Sequence, residues 1–127
     1  MIRGDFLSKA FSADSGTFAD VAYMPIKANV DRIVVAVYNT DTSASTEKIT
    51  FRVLVQLVPS GGFIEYGTFS AAAGFSPVPV PLAKGVAFLG FIEDIGVEAV
   101  KVEALRSGSV AIPGLVELKC LRDGLDS

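Results

Sequence analysis

The chain is predicted to be all-β, an antiparallel β-sandwich of about seven or eight short strands with an extended N-terminal arm. Three observations carry this. Runs rich in Val, Ile, Phe and Tyr are separated at short intervals by the turn-forming clusters NTDTSAS, PSGG, AAAG, AKG, EDIG, RSGS and RDG. Within several of those runs apolar and polar residues alternate with period two, the spacing that gives a strand one buried and one wet face. The 127 residues, half of them hydrophobic, suffice for one domain with a real core and no disulfide staples.

The opening residues, MIRGDFLSKAFSADSG, carry Met1, Ile2, Phe6, Leu7 and Phe11, but Arg3, Asp5 and Lys9 interrupt them. They therefore lack the continuous apolar core of a signal peptide. The turn Ser12 to Gly16 sets them apart, so residues 1–16 read as an arm, laid across a neighbouring subunit or folded back on its own sheet, and residues 17–127 as a single sandwich domain. Thr17 to Tyr23 is the first strand of that domain. In Arg32 to Asn39 the residues Ile33, Val35 and Val37 face one way and Val34, Ala36 and Tyr38 the other. Neither side is polar, which predicts cover on both faces.

Lys48 to Val58 alternates best: Ile49, Phe51, Val53, Val55 and Leu57 share a core face, while Thr50, Arg52 and Gln56 share the wet one. Phe63 to Phe69 and Val86 to Ile92 are further strands. Between them lies SPVPVPL, where Pro77, Pro79 and Pro81 remove every second backbone donor. That segment is expected as an edge strand or a polyproline II stretch, with Val78, Val80 and Leu82 projecting from it. Near the end Val100, Val102 and Ala104 oppose Lys101 and Glu103, and Val116, Leu118 and Cys120 oppose Glu117 and Lys119.

Histidine is absent, which removes the usual general base near neutral pH and the commonest metal ligand. Lone Cys120 offers no disulfide and no zinc set, and it reads as a small buried hydrophobe. Glu93 and Asp94, with Glu98 nearby, read as a polar turn in preference to paired catalytic carboxylates. Asn39 and Asp41 place oxygens in one loop without the spaced ladder of a calcium site. Gly61, Gly62 and Gly85 lack the context of a phosphate loop and serve turns, and Arg3-Gly4-Asp5 lies in the arm, away from any tight loop. Fourteen acids against eleven scattered bases give a charge of −3 and no footprint for nucleic acid. The longest uncharged stretch, Tyr66 to Ala83, contains three prolines and cannot run as a spanning helix. The reading is thus no enzyme, no cofactor, no metal, no nucleic acid and no membrane insertion.

The apolar surplus, nine Phe among many Val, Ile and Leu, exceeds what one thin sandwich hides. It predicts subunit contacts, with Met1, Ile2, Phe6, Leu7, Phe11, Val78, Val80 and Leu82 as interface candidates. The order RIVVAVYNTDT, KITFRVLVQLV, a Pro/Gly-rich connection, GVAFLGF, VEAVKVEAL and GLVELKC resembles the small all-β, jelly-roll-like coat or decoration subunits of virions, over about residues 17 to 122. It is also similar to the subunits of endospore appendages, whose connector uses cysteines that this arm lacks. The resemblance implies a self-assembling structural subunit of a virion, a coat, decoration or tail component, acting through apolar interfaces and arm or strand-edge exchange. It would partner copies of itself and other coat proteins, and its place would be a virion or extracellular surface assembly, with synthesis in a cytoplasm. The alternatives are a subunit of a spore-surface filament and a carbohydrate-binding sandwich, the latter disfavoured by the absence of Trp.

Overall fold

Pairing of the chain with itself, half against half, generates the architecture. The computed structural model describes residues 6–26, 32–44, 46–70, 74–76, 81–93 and 96–121, with the backbone alone at 68–70 and 74–76. Among these are nine strands: β1 (Phe6–Ala13), β2 (Ala19–Pro25), β3 (Arg32–Asn39), β4 (Ile49–Gln56), β5 (Ile64–Ser70), β6 (Gly74–Ser76), β7 (Ala87–Glu93), β8 (Ala99–Arg106) and β9 (Ile112–Leu121). β4 pairs with β5, β3 with β7, β2 with β8 and β1 with β9, all antiparallel. Successive pairs of this nested ribbon fall in alternate sheets, giving a four-stranded sheet in the order β1-β9-β3-β7 and a five-stranded sheet in the order β2-β8-β4-β5-β6. That winding is the jelly roll, and the expected β-sandwich class is confirmed.

The inner faces follow the period-two pattern. Ile33, Val35 and Val37 of β3 and Val116, Leu118 and Cys120 of β9 are buried on one side of the core, facing Ile49, Phe51, Val53, Val100 and Val102 of β4 and β8. Each such large aliphatic or aromatic side chain contributes roughly 1.5 to 3 kcal/mol by leaving water. Turns close where glycine is required: Gly85, Gly96 and Gly108 have φ of +77°, +83° and +71°, in the AKG, EDIG and RSGS clusters.

Four expectations need correction. The segment assigned to a separate arm supplies β1, which pairs along β9 from Phe6 opposite Lys119 to Ala13 opposite Ile112. The physical reason is the shared inward face of Leu7, Phe11 and Ala13, on which Ala13 is buried and Phe11 meets the Phe51 ring edge-to-face at 5.7 Å. Leu82, placed among projecting interface residues, is 1% exposed. It keeps its backbone N–H, unlike its proline neighbour, and exchanges two hydrogen bonds with Ile49, of 2.7 and 3.1 Å, which draws its side chain inside. Leu57 lies one residue beyond β4 and is 40% exposed. Among the described residues no second layer lies on the outer face of β3, where Val34 and Tyr38 are half-buried. Met1, Ile2, Val78 and Val80 lie outside the described residues.

Gly114 fixes the seat of β1. It lies opposite Phe11 in the β1–β9 register, and a Cβ there would come within 2.5 Å of the Phe11 ring and 3.0 Å of the Tyr38 carbonyl oxygen. Gly114→Ala is expected to destabilise the fold by about 1–3 kcal/mol through overpacking. In the Phe11→Ala background the same change costs less, because the clashing ring is gone; urea denaturation of the two single variants and the double variant measures that coupling.

Candidate assembly surfaces

The two sheets present different outward faces. On the four-stranded sheet the register lines up three rows: Phe6, Lys119, Val34 and Phe91; Ser8, Glu117, Ala36 and Leu89; Ala10, Leu115, Tyr38 and Ala87. The β1 and β9 side of this face mixes Lys119, Ser8 and Glu117 with Phe6, Ala10 and Leu115, and in these rows the β3 and β7 side is apolar but for the Tyr38 hydroxyl. Leu89 and Phe91 are 52% and 45% exposed. The Arg32 guanidinium sits 5.4 Å over the Phe91 ring and 3.3 Å from the Glu93 carboxylate. Tyr38 donates its hydroxyl to Glu117 Oε1 at 2.6 Å. That bond to a carboxylate, with burial and the negative charge behind it, pushes the Tyr38 hydroxyl above its ordinary pKa.

The outward face of the five-stranded sheet is internally satisfied. Glu103 of β8, only 8% exposed, accepts from Arg52 Nε at 2.6 Å and lies 3.6 Å from Lys101 Nζ. Lys101 reaches Asp20 at 3.4 Å and Arg52 reaches Glu65 at 3.8 Å. Aromatic rings close over both cations, Phe18 at 4.2 Å from the Arg52 guanidinium and Phe63 at 4.5 Å from Lys101 Nζ. Cross-strand ion pairs of alternating sign thus cover β4 and β8 where the alternation alone predicts a plain wet face.

Where β1 and β2 form the neighbouring edges of the two sheets, an open cleft of about 310 Å³ lies between them, with Lys9, Phe11, Asp20 and Tyr23 on its walls. Lys9 falls on the same face of β1 as Leu7 and Phe11, so this edge carries an inward-facing charge.

The residues with chemical potential are dispersed. Among the described residues no three His, Cys, Asp or Glu side chains come together as metal ligands. Glu93 ends β7 in its ion pair with Arg32, Asp94 lies outside the described residues, and Glu98 is exposed ahead of β8. Cys120 is buried in the core. Asn39 and Asp41 build a turn: Asn39 Nδ2 donates to the Leu82 carbonyl at 2.9 Å, its Oδ1 accepts the Asp41 N–H at 3.0 Å, and Asp41 accepts from the Ser43 N–H at 2.9 Å and hydroxyl at 3.1 Å. Those Ser43 bonds hold the Asp41 carboxyl below its ordinary pKa.

Of the interface residues expected from sequence, Phe6 is 61% exposed, Leu7 and Phe11 pack against their own core, and Leu82 is internal. They do not form one patch. Both faces of RIVVAVYN read as apolar from the sequence, but the same reading was not extended to β7, although AFLGFIE likewise has no polar face until its final acid.

No family model matches the chain, and no curated protein matches it. Solved structures share its fold. A chain of the VP2 subviral particle of infectious bursal disease virus superimposes with a TM-score of 0.60 at 14% identity over 97% of this chain and 34% of that one. One from the Gx strain of the same virus gives 0.57 at 12% identity over 99% and 33%. A chain from Bacillus endospore appendages, described as disulfide-linked pili, gives 0.48 at 14% identity over 96% and 89%. The chain spans about a third of the length of the viral chains. The protein is thus a jelly-roll β-sandwich of the type seen in those viral particles, and the likeness is one of fold.

Glu103→Ala is expected to cost about 1–3 kcal/mol, because it leaves Arg52 and Lys101 partly covered by rings without their shared acceptor. Urea unfolding checks it. Asp41 acts on the acid side. Its folded pKa is depressed, so its contribution is complete above the ordinary carboxylate range and is lost as pH falls through the folded value. The urea midpoint is expected to fall less between pH 7 and pH 3 in Asp41→Asn than in the unaltered protein.

Proposed function

We propose that this chain is a self-assembling structural subunit of a virion, a coat, decoration or tail component that associates with its own copies and with other coat proteins. The observation that carries the reading is the outward apolar surface of β3 and β7, where Leu89 and Phe91 stand half in water on the outer face of the four-stranded sheet. Burying such side chains between subunits supplies the association energy. The jelly-roll fold held in common with the viral particle chains supports the reading. So does the dispersal of titratable groups into ion pairs and turns, an arrangement suited to a surface and not to acid–base chemistry.

Exposed Phe6, together with Met1, Ile2, Val78 and Val80, provides further proposed contacts to neighbouring subunits. Leu7, Phe11 and Leu82 are spent inside the subunit, so assembly uses the sandwich surface and not release of β1. A binding module is the rival class, and the cleft beside Tyr23 is where a ligand would sit. Sedimentation across the micromolar range, with electron microscopy of the same samples, separates the readings. A defined oligomer or regular assembly is expected; a compact monomer at every concentration overturns the proposal.

A further inference from the structure

Among the described residues, each sheet edge but that of β7 carries a device against pairing with another chain. β1 has Lys9 on its inward face, β2 has a register shift between Asp20 and Ala22 and ends in Pro25, and β6 is three residues long ahead of the proline-rich sequence. Such charges, bulges, prolines and short lengths blunt an edge. β7 has none of them: AFLGFIE runs seven residues with no proline, no lysine and no register shift, its acid confined to the last position.

The backbone of β7 is oriented for a partner. Asn39 donates its N–H to the Val86 carbonyl at 3.0 Å, and the β3–β7 register continues unbroken from Tyr38 opposite Ala87 to Arg32 opposite Glu93. Bonded and non-bonded pairs alternate along an antiparallel ladder. Phe88, Gly90 and Ile92 therefore direct their N–H and C=O groups to β3, and Ala87, Leu89, Phe91 and Glu93 direct theirs to the outer edge, where no described strand pairs with β7. Leu89 and Phe91 thus expose both their side chains and their backbone polar groups.

We infer that β7 is the edge along which two copies of this chain join, antiparallel and two-fold symmetric about Gly90, merging their four-stranded sheets into one of eight strands. The occupant follows from self-complementarity. A strand laid antiparallel on itself about Gly90 sets Leu89 opposite the partner's Phe91, Phe91 opposite the partner's Leu89, and Glu93 opposite the partner's Ala87. Bonded positions then meet bonded positions, apolar meets apolar, and no like charges face each other. Shifting the strands by two residues in one direction would place Leu89 against the partner's Glu93, which disfavours that alternative. Val34 and Ala36 of β3 extend the apolar surface on either side of the junction, continuous with the row just formed. A C2 contact of this kind uses the same patch on both subunits.

The inference rests on the self-assembly reading and deepens it by naming the surface and the partner. Its test uses the full chain with three variants, Leu89→Lys, Phe91→Lys and, as a control at an equally exposed apolar residue, Val58→Lys, all checked for fold by circular dichroism. Sedimentation equilibrium is expected to show self-association weakened by about 100-fold or more in the two β7 variants, and unchanged in Val58→Lys. Register is read separately. Leu89→Cys mixed with Phe91→Cys under oxidation is expected to give a cross-linked heterodimer in higher yield than either variant alone, with Cys120 sequestered in the core of both. Unaltered protein that associates while the Lys variants associate equally well overturns the β7 junction and leaves the assembly reading standing. Unaltered protein that never associates overturns both.

Discussion

Antiparallel pairing of the two halves of the chain around the β4–β5 hairpin is the constraint from which the remaining structure follows. Once β4 lies on β5, each flanking strand meets its counterpart further out along the same ribbon: β3 with β7, β2 with β8, β1 with β9. Folding the ribbon over brings β3 against β9 and β4 against β8, and those secondary pairings close the sheets. The core is the space between, filled by the inward residues of β3, β9, β4 and β8. The same winding decides which strands end up at edges. Nearly every stabilising contact is thus remote in sequence.

How much of this was legible depended on the faces. The alternations Ile49-Phe51-Val53-Val55 and Val116-Leu118-Cys120 give strand, register and inward face directly, because only one parity buries the apolar set. Partners were not legible, since any amphipathic run can pair with any other until the topology is known. Outward faces were read poorly for a related reason. Glu103 looks wet in the sequence, yet Arg52 of β4 and Lys101 of its own strand pair with it, and Phe18 and Phe63 cover those two cations. Leu82 fails the other way: prolines at every second position imply a projecting segment, but one retained N–H lets it join β4. β1 was hidden because Lys9 masks an alternation in which Leu7, Phe11 and Ala13 already share a face.

The division between the two outward faces has an energetic logic. Ion pairs held under aromatic rings satisfy one another, so the five-stranded sheet gains little by meeting a partner, which would have to desolvate those charges. The β3 and β7 side of the four-stranded sheet carries no such cost. It offers hydrocarbon, with Arg32 and Glu93 confined to one end of the row. In the self-association proposed above, specificity for one surface over the other is built as much from the polarity of the disfavoured face as from attraction at the favoured one.

The position of β9 in its sheet also sets an order of events during synthesis. It is the last of the nine strands to leave the ribosome, and it lies between β1, the first, and β3. Until it emerges, β1 has no neighbour in its sheet and the edge of β3 is open. The five-stranded sheet lacks β8 for almost as long, although the β4–β5 hairpin can form early from local contacts. Loop closure across the span from β1 to β9 must therefore precede a complete sandwich, and closure over so long a separation slows folding. For that interval the nascent chain exposes unpaired strands and both halves of its core, so a crowded polysome making many copies is where mispairing between chains is most exposed.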